Sequence, residues 1–332
     1  FCKYYAMPKR HDYLIVGSAL IDIIVETKSL EKVDVSKKYV EYLLHLSAGS
    51  KTRVENLNLS SGGSALNVAI TMDCMGSRSA FLTCLGKNVF GDFILKKLRT
   101  SNINTSYVKR TDTNTGVGIN LISGGEKSAL VYHGAVDLLG ENDVTPSMIE
   151  NSKHILITSL TSKKNYGLFL KTLKLAKKYS VPVIFAPGIT MLKEFERKLR
   201  NLKYVFDVII LNYEEGSFLT KKKDVKSILK SLPGRVVVVT KDKEGAYAKD
   251  GNKFVHVTSL PVKVKNTTGA GDVFCGAFVY TYYESGLENA LKMATAVAGM
   301  KLGRMEAEVQ CFPPQILKFL KAYEKKIRIS DI

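Results

Sequence analysis

The chain is short of acids: 31 Asp and Glu stand against 49 Lys and Arg, a formal net charge of +18. Its five cysteines, Cys2, Cys74, Cys84, Cys275 and Cys311, are odd in number and scattered, with no Cys-x-x-Cys pair. That argues against a disulfide framework and against a zinc site. No apolar run approaches the roughly 20 residues of a membrane helix, so no membrane partner is expected. Phe1 to Arg10 lacks the apolar core of about 7–15 residues that a signal peptide carries. Met7, followed by Pro8-Lys9-Arg10, is read as a native start with Phe1 to Ala6 a leader of unclear origin, and a cytoplasmic location is expected. Sequence repeats and low-complexity linkers are missing as well. What remains is 332 residues with 45% apolar content, enough for one large α/β domain or a domain with a small appendage.

The positive excess invites a nucleic-acid partner. The lysines, however, come in short, dispersed clusters such as Lys163-Lys164, Lys177-Lys178 and Lys221-Lys222-Lys223, on segments that read as exposed helix faces and loops. A solvated lysine-rich surface is the simpler account, and no nucleic acid is expected. The field would still draw anionic substrates such as nucleotides.

The most informative stretch is Asn266-Thr267-Thr268-Gly269-Ala270-Gly271-Asp272, between an extended segment (254–264) and an apolar helix from Val273. Two glycines flanking one alanine let the backbone approach a ligand and turn its N–H groups outward. Unpaired N–H groups and the helix dipole then make an anion site suited to phosphate. Asp272 has two readings there, a helix-capping carboxylate or a general base beside a phosphate cradle.

Upstream, Tyr13 to Gly17 is a buried strand closed by glycine, and Asp22 follows among apolar neighbours. Asp22 reads as a turn or edge residue, or as a partner for a ligand hydroxyl. Residues 27–60 are polar, with alternation at 52–59, and predict strands outside the main layer. Gly62-Gly63 reads as a hinge or close-approach turn, and Ser64 as the N-cap of a helix to about Met75. Asn67, in the first turn of that helix, is either a second capping residue or an amide facing a pocket. Thr115 to Leu121 and Ser128 to Tyr132 predict a hairpin. From His154 onward strands and helices alternate, including a helix over 191–200, which predicts a mainly parallel sheet covered on both faces. Asn212 to Glu215 closes one strand and opens a helix, at the ligand-facing edge of such a sheet.

On these residues the chain resembles the ribokinase (PfkB) family of small-molecule kinases over nearly its whole length. Gly62-Gly63-Ser64-Ala65-Leu66-Asn67-Val68-Ala69 matches the family's N-terminal signature, and Thr267 to Phe274 matches its C-terminal one. Asn212 to Glu215 stands as the family's Asn-x-x-Glu element, and the three occur in family order. The resemblance implies a three-layer α/β fold with a mainly parallel central sheet and a small β-sheet lid, from about 22–27, 52–60 and 115–132, within one domain spanning 7–332. By position, Asp272 would be the base and Gly269, Ala270 and Gly271 the anion hole. Asp22, Gly62, Gly63 and Asn67 would bind substrate, while Thr240, Gly245 and Thr268 would border ATP. Asn212 and Glu215 would hold Mg²⁺ through water, and a monovalent cation has a place in the same picture.

Three positions depart from the family pattern. Asn266 stands where Asp is usual, Asp242 where a glycine commonly approaches the nucleotide, and Ala186-Pro187-Gly188 where sugar kinases often have Asp-Pro-Asn. The last shifts weight from ribose or fructose towards nucleoside-directed members. The expected activity is ATP-dependent phosphorylation of a hydroxymethyl group on a sugar or nucleoside. A kinase for a phosphosugar or cyclitol, or a non-catalytic sugar- or nucleic-acid-binding relative, is the alternative; intact Asp272 and Glu215 argue against the silent form. The alternating segment at 52–59 would leave an apolar face too large for one small sheet, so a homodimer through the lid is expected.

Overall fold

A run such as Val236 to Val239 has no polar side, so a strand built from it must be buried on both faces. In the computed structural model these four valines are fully buried within the strand Gly234–Lys241, near the middle of a ten-stranded sheet. The structure describes residues 11–28, 31–37, 40–45, 49, 51–123, 126–303, 313–323 and 326–332; the leader at 1–6 lies outside them. In spatial order the sheet runs Ile329–Asp331, Lys253–Val257, Gly245–Asp250, Gly234–Lys241, Phe206–Asn212, Val183–Phe185, Ser152–Ile157, His11–Val16, Ser79–Gly86 and Val108–Thr111. From Gly234–Lys241 to Val108–Thr111 the neighbours are parallel, and the first three strands join antiparallel.

Parallel strands need crossovers, and the helices that supply them cover both faces. Strand residues alternate between two cores. Tyr13 and Ile15 join Phe278 and Ala294 on one side, and Leu14 and Val16 join Phe169 and Leu192 on the other. Truncating fully buried Phe169 or Phe278 to alanine would cost about 3–5 kcal/mol. The helix expected over 191–200 is two pieces, Ile189–Glu194 and Glu196–Arg200. Phe195 breaks them at φ −116° and ψ 21°, because its buried ring packs 4.8 Å from that of Tyr166. No helix among the described residues is long and apolar enough to cross a membrane.

A second sheet of four strands has the order Asn56–Gly62, Leu20–Glu26, Thr115–Ser123, Glu126–Gly134. Leu20–Glu26 is antiparallel to the first and parallel to the third, which closes a hairpin with the fourth. Glu31–Lys37 and Val40–His45 pair as a further two-stranded sheet, so much of the 27–60 stretch does lie outside the main layer. Register assigns the faces of the four-stranded sheet, since side chains alternate along a strand. Asp22 lies beside Ser60 and Gly118 on one side. Ile23 lies beside Leu59 and Ile119, and Val25 beside Leu57 and Leu121, on the other.

Candidate active site

The parallel strands end at a common edge, where open α/β sheets bind ligands. Gly17 follows His11–Val16, Thr158 follows Ser152–Ile157, and Asn212 closes Phe206–Asn212. The stretch from Asn266 to Asp272 is built largely from its own polar groups. The Asn266 side-chain oxygen accepts from the Thr268 N–H at 2.9 Å, and the Ala270 N–H donates to the Thr267 carbonyl at 3.2 Å. Gly269 caps the helix Ala270–Ser285 at φ 77°, a left-handed conformation that glycine adopts without strain. The first-turn N–H group of Gly271 has no partner within the helix by its geometry. A side chain at Gly271 would meet nothing within 4 Å, so open space lies beside this turn. Donors, dipole and space together make an anion site.

Asp272 receives a hydrogen bond on each oxygen. Ser64 Oγ donates to Oδ1 at 2.6 Å and Asn67 Nδ2 to Oδ2 at 2.8 Å, across more than 200 residues of sequence. The two signatures are therefore one site. Ser64 is not the helix cap that the sequence suggests. Gly63 takes that position at φ 95°, and a β-carbon there would lie 2.7 Å from the Ser18 carbonyl oxygen. The helix Ser64–Cys74 consequently starts at Ser64, whose hydroxyl is turned to the carboxylate. Asn67 is buried, and its Oδ1 has no protein partner, leaving an acceptor for an incoming hydroxyl.

On the lid, Asn120 Nδ2 donates to Asp22 Oδ1 at 3.2 Å. Gly62 and Gly118 make room for this carboxylate: β-carbons there would come within 2.0 and 2.8 Å of its oxygens. Ser60, opposite Asp22, carries a buried hydroxyl without a partner. Polyhydroxylated ligands suit such a cluster of carboxylate, amide and hydroxyl groups.

Asn212 and Glu215 form a capping box. The Asn212 side chain accepts from the Glu215 N–H at 2.8 Å, and Glu215 Oε2 accepts from the Asn212 N–H at 2.9 Å. Burial pushes the Glu215 carboxyl up to about 7; the Asn212 N–H opposes this and the charge of Asp272 adds to it. Two carboxylates in mutual repulsion, one of them buried, fit a cation between them. Among the described residues no group of three or more His, Cys, Asp or Glu could enclose a metal. This donor set therefore suits Mg²⁺, which keeps several waters and takes one or two carboxylates plus phosphate oxygens.

Thr240 stands beside Asn212 in register, at the ends of adjacent parallel strands. Gly245 has a structural reason of its own, since a β-carbon there would lie 2.0 Å from the Val257 carbonyl oxygen. Asp242 keeps a left-handed backbone, φ 41°, at the position where the family pattern has glycine. The helix Leu287–Leu302 reaches the phosphate turn: the Lys265 N–H donates to the Leu302 carbonyl at 2.8 Å, and Lys301 Nζ to the Asn266 carbonyl at 2.6 Å. Asn120 and Lys301 escaped the sequence analysis. Asn120 becomes visible only when its strand is paired with that of Asp22. Lys301, by contrast, follows Ala290, Ala294 and Val297 on one buried helical stripe, and that spacing could have found it.

Residues 11–313 match the pfkB family carbohydrate kinase. The chain belongs to that family and is a small-molecule kinase, which carries ATP use with it. It is 26% identical over 334 residues to an ATP-dependent 6-phosphofructokinase of Thermoanaerobacterium thermosaccharolyticum, covering 96% of each chain. Its fold is similar to that of the adenosine kinase from Sinorhizobium meliloti, with TM-score 0.76, 20% identity and coverage of 96% of this chain and 99% of that one. It is also similar to an E. coli protein described as a Ribokinase II in complex with ATP and Mg²⁺, with TM-score 0.75, 19% identity and coverage of 94% and 99%.

Proposed function

We propose that the chain transfers the terminal phosphoryl group of ATP to a hydroxymethyl group of a sugar or nucleoside, within one kinase domain spanning residues 7–332. One observation carries this: Ser64 and Asn67 hold both oxygens of Asp272 beside the open start of the helix Ala270–Ser285. Asp272 takes the proton of the acceptor hydroxyl, and the Gly269-Ala270-Gly271 turn receives the charge of the moving phosphoryl group. Phosphoryl transfer has a loose transition state, so placement and neutralisation do most of the work. Asp22, Gly62, Gly63 and Asn67 hold and shape the acceptor's hydroxyl contacts. Thr240, Gly245 and Thr268 border the nucleotide. Asn212 and Glu215 would hold Mg²⁺ through water, and that ion would supply neutralising charge to the phosphates.

The lid's outer face gives the homodimer its rationale. Leu57, Leu59, Leu130 and Tyr132 are exposed there around half-buried Ile23 and Ile119. A second copy of the same face would cover them. The placement in the cytoplasm belongs to the same proposal.

The second reading, an acceptor that already carries phosphate, is favoured by the exposed lysines at 163–164, 177–178 and 221–223. ATP consumption against a panel of sugars, nucleosides, phosphosugars and cyclitols decides between the two. Turnover of no member, with an ATP analogue demonstrably bound, would leave a non-catalytic sugar binder. Affinity for DNA with a steep salt slope would point to nucleic acid instead.

A further inference from the structure

The helices that cover the two faces of the main sheet differ in charge. On the side of Phe278 and Ala294, the five described α-helices carry six Lys and Arg against five Asp and Glu. On the side of Phe169 and Leu192, the six described α-helices carry twelve against five. Half of those twelve lie on one helix, Lys163–Lys178, whose sequence holds no acid. Lys163, Lys164, Lys171, Lys174, Lys177 and Lys178 fall within about 140° of its circumference, at 3.6 residues per turn. Buried Leu168, Phe169 and Leu173 take the other side. None of the six lysines forms an ion pair among the described residues. The neighbouring helices add exposed Lys193, Arg197 and Lys198 against Glu194, while Glu141, beside Gly167, offsets part of the charge. Clusters that look dispersed along the chain are thus gathered by the fold.

Helix stability does not call for this arrangement. Lys163 and Lys164 occupy the first turn, where the helix dipole favours anions. Lys174 and Lys178 stand one turn apart, a like-charge pair that weakens a helix. An anionic surface laid against the helix would offset these repulsions. Three features favour a bilayer over a nucleic acid. The helix is packed into a layer, with Tyr166 against Phe195, and so enters no groove. Lys198 and Lys178 stand over the rings of Tyr166 and Tyr179, which leaves bases no open ring there to stack on. Leu170, 40% exposed, sits amid the lysines and suits the boundary between headgroups and acyl chains.

We propose that the outer face of the helix Lys163–Lys178 is a peripheral docking surface for a bilayer leaflet rich in anionic lipid. Such a contact needs no spanning helix, and it does not depend on which acceptor the kinase uses. Ser162 caps this helix just after the ligand edge of the sheet, and the helix then runs back along the sheet's face. Docking therefore leaves the strand ends open.

The test is flotation of the full chain with vesicles of phosphatidylcholine alone, or with one-third phosphatidylserine. The parent should float with the second and not with the first, and molar salt should release it. A lysine at an anionic surface strengthens binding about fivefold, so Lys164→Gln with Lys171→Gln and Lys174→Gln should weaken partitioning about a hundredfold. Glutamine keeps the helix propensity, and an unchanged thermal unfolding curve shows that the variant is folded. Lys96→Gln with Lys292→Gln and Lys318→Gln removes the same charge from the opposite layer. Screened across the thickness of the domain, it should change partitioning by less than about twofold. Equal losses in the two variants would reduce the effect to net charge and overturn the inference. So would unchanged partitioning of the first variant, or a parent that does not float with anionic vesicles. Tighter binding to duplex DNA than to vesicles of equal anionic charge, lost in the first variant, would give this face to nucleic acid and overturn the bilayer.

Discussion

Between Asn266 and Asp272 the backbone is tied from three sides: by its own turn, by the helix Leu287–Leu302, and through Asp272 by the helix Ser64–Cys74. The outer half of the lid sheet has far less around it. Leu57 is 64% exposed and Leu130 63%. Both regions face one reaction, yet they are built to different tolerances. The turn must hold donors where charge develops, which rewards rigidity. In the proposed function the lid must accept and release a ligand, which would complete its polar groups. Chemistry should thus be robustly encoded in the turn, and substrate choice in the lid.

The largest effect should come from the turn. Asp272→Asn keeps an acceptor for Asn67 and a donor that Ser64 Oγ can accept, so the fold and nucleotide binding should survive. It cannot take the acceptor's proton, and loss of a general base typically lowers turnover about 10²–10⁴-fold. If Asp272 were only a helix cap, asparagine would serve almost as well. Turnover within about threefold of the parent would remove the base assignment and the contrast with the lid.

On the lid side, Asp22→Asn should act on the acceptor alone. Hydrogen bonds to charged groups are worth about 1.5–3 kcal/mol, so KM for the acceptor should rise about 10–100-fold. Affinity for an ATP analogue should stay unchanged. Parallel losses for acceptor and nucleotide would show that Asp22 serves the whole site rather than its acceptor side.

The same contrast explains what could be read without coordinates. Asp272, Asn67 and the Asn212 to Glu215 element lie in local patterns whose spacing is itself the signal. The parallel sheet was equally visible, because runs such as Val236 to Val239 admit few other environments. Ser64 was misassigned, since a serine before a helix is usually its cap, and only the φ of Gly63 hands that position to the glycine. The single helix over 191–200 failed because burial of Phe195 overrides local propensity. Asn120 acquires its meaning from a strand about 100 residues away, a pairing that no local pattern contains.

Glu215 offers a test in stability rather than rate. Its carboxyl stands at about 7 in the folded chain against 4.5 when unfolded, chiefly through burial. The folded state therefore holds a proton that the unfolded state has released between those values. The associated stability is fully present below pH 4.5 and is lost as pH rises through 7. Glu215→Gln retains an acceptor for the Asn212 N–H and has no proton to lose. Relative to this variant, the parent without metal should lose on the order of 3 kcal/mol between pH 4.5 and 8 in urea unfolding. Added Mg²⁺ and nucleotide should return part of it to the parent only. Parallel curves for the two proteins would mean that the carboxylate is not held in the strained state described.

The smallest effect on turnover should come from the most exposed part of the lid. Leu57 and Leu130 project from the two outer strands on the face that carries Ile23 and Ile119, away from Asp22. If a second copy covers that face, Leu57→Lys with Leu130→Lys buries two charges without partners in the interface and should give a monomer by light scattering. The same changes on a free surface alter stability by no more than about 0.5 kcal/mol, about twofold in an equilibrium. Turnover measured on the isolated monomer should accordingly stay near the parent's, because every group that touches the reacting atoms lies on the opposite side of the sheet or in the main domain. A parent that is already monomeric at high concentration removes the dimer. A monomeric variant that binds its acceptor many-fold more weakly would instead show that the lid depends on its partner for its shape. The difference in tolerance between turn and lid would then be a property of the assembly and not of the single chain.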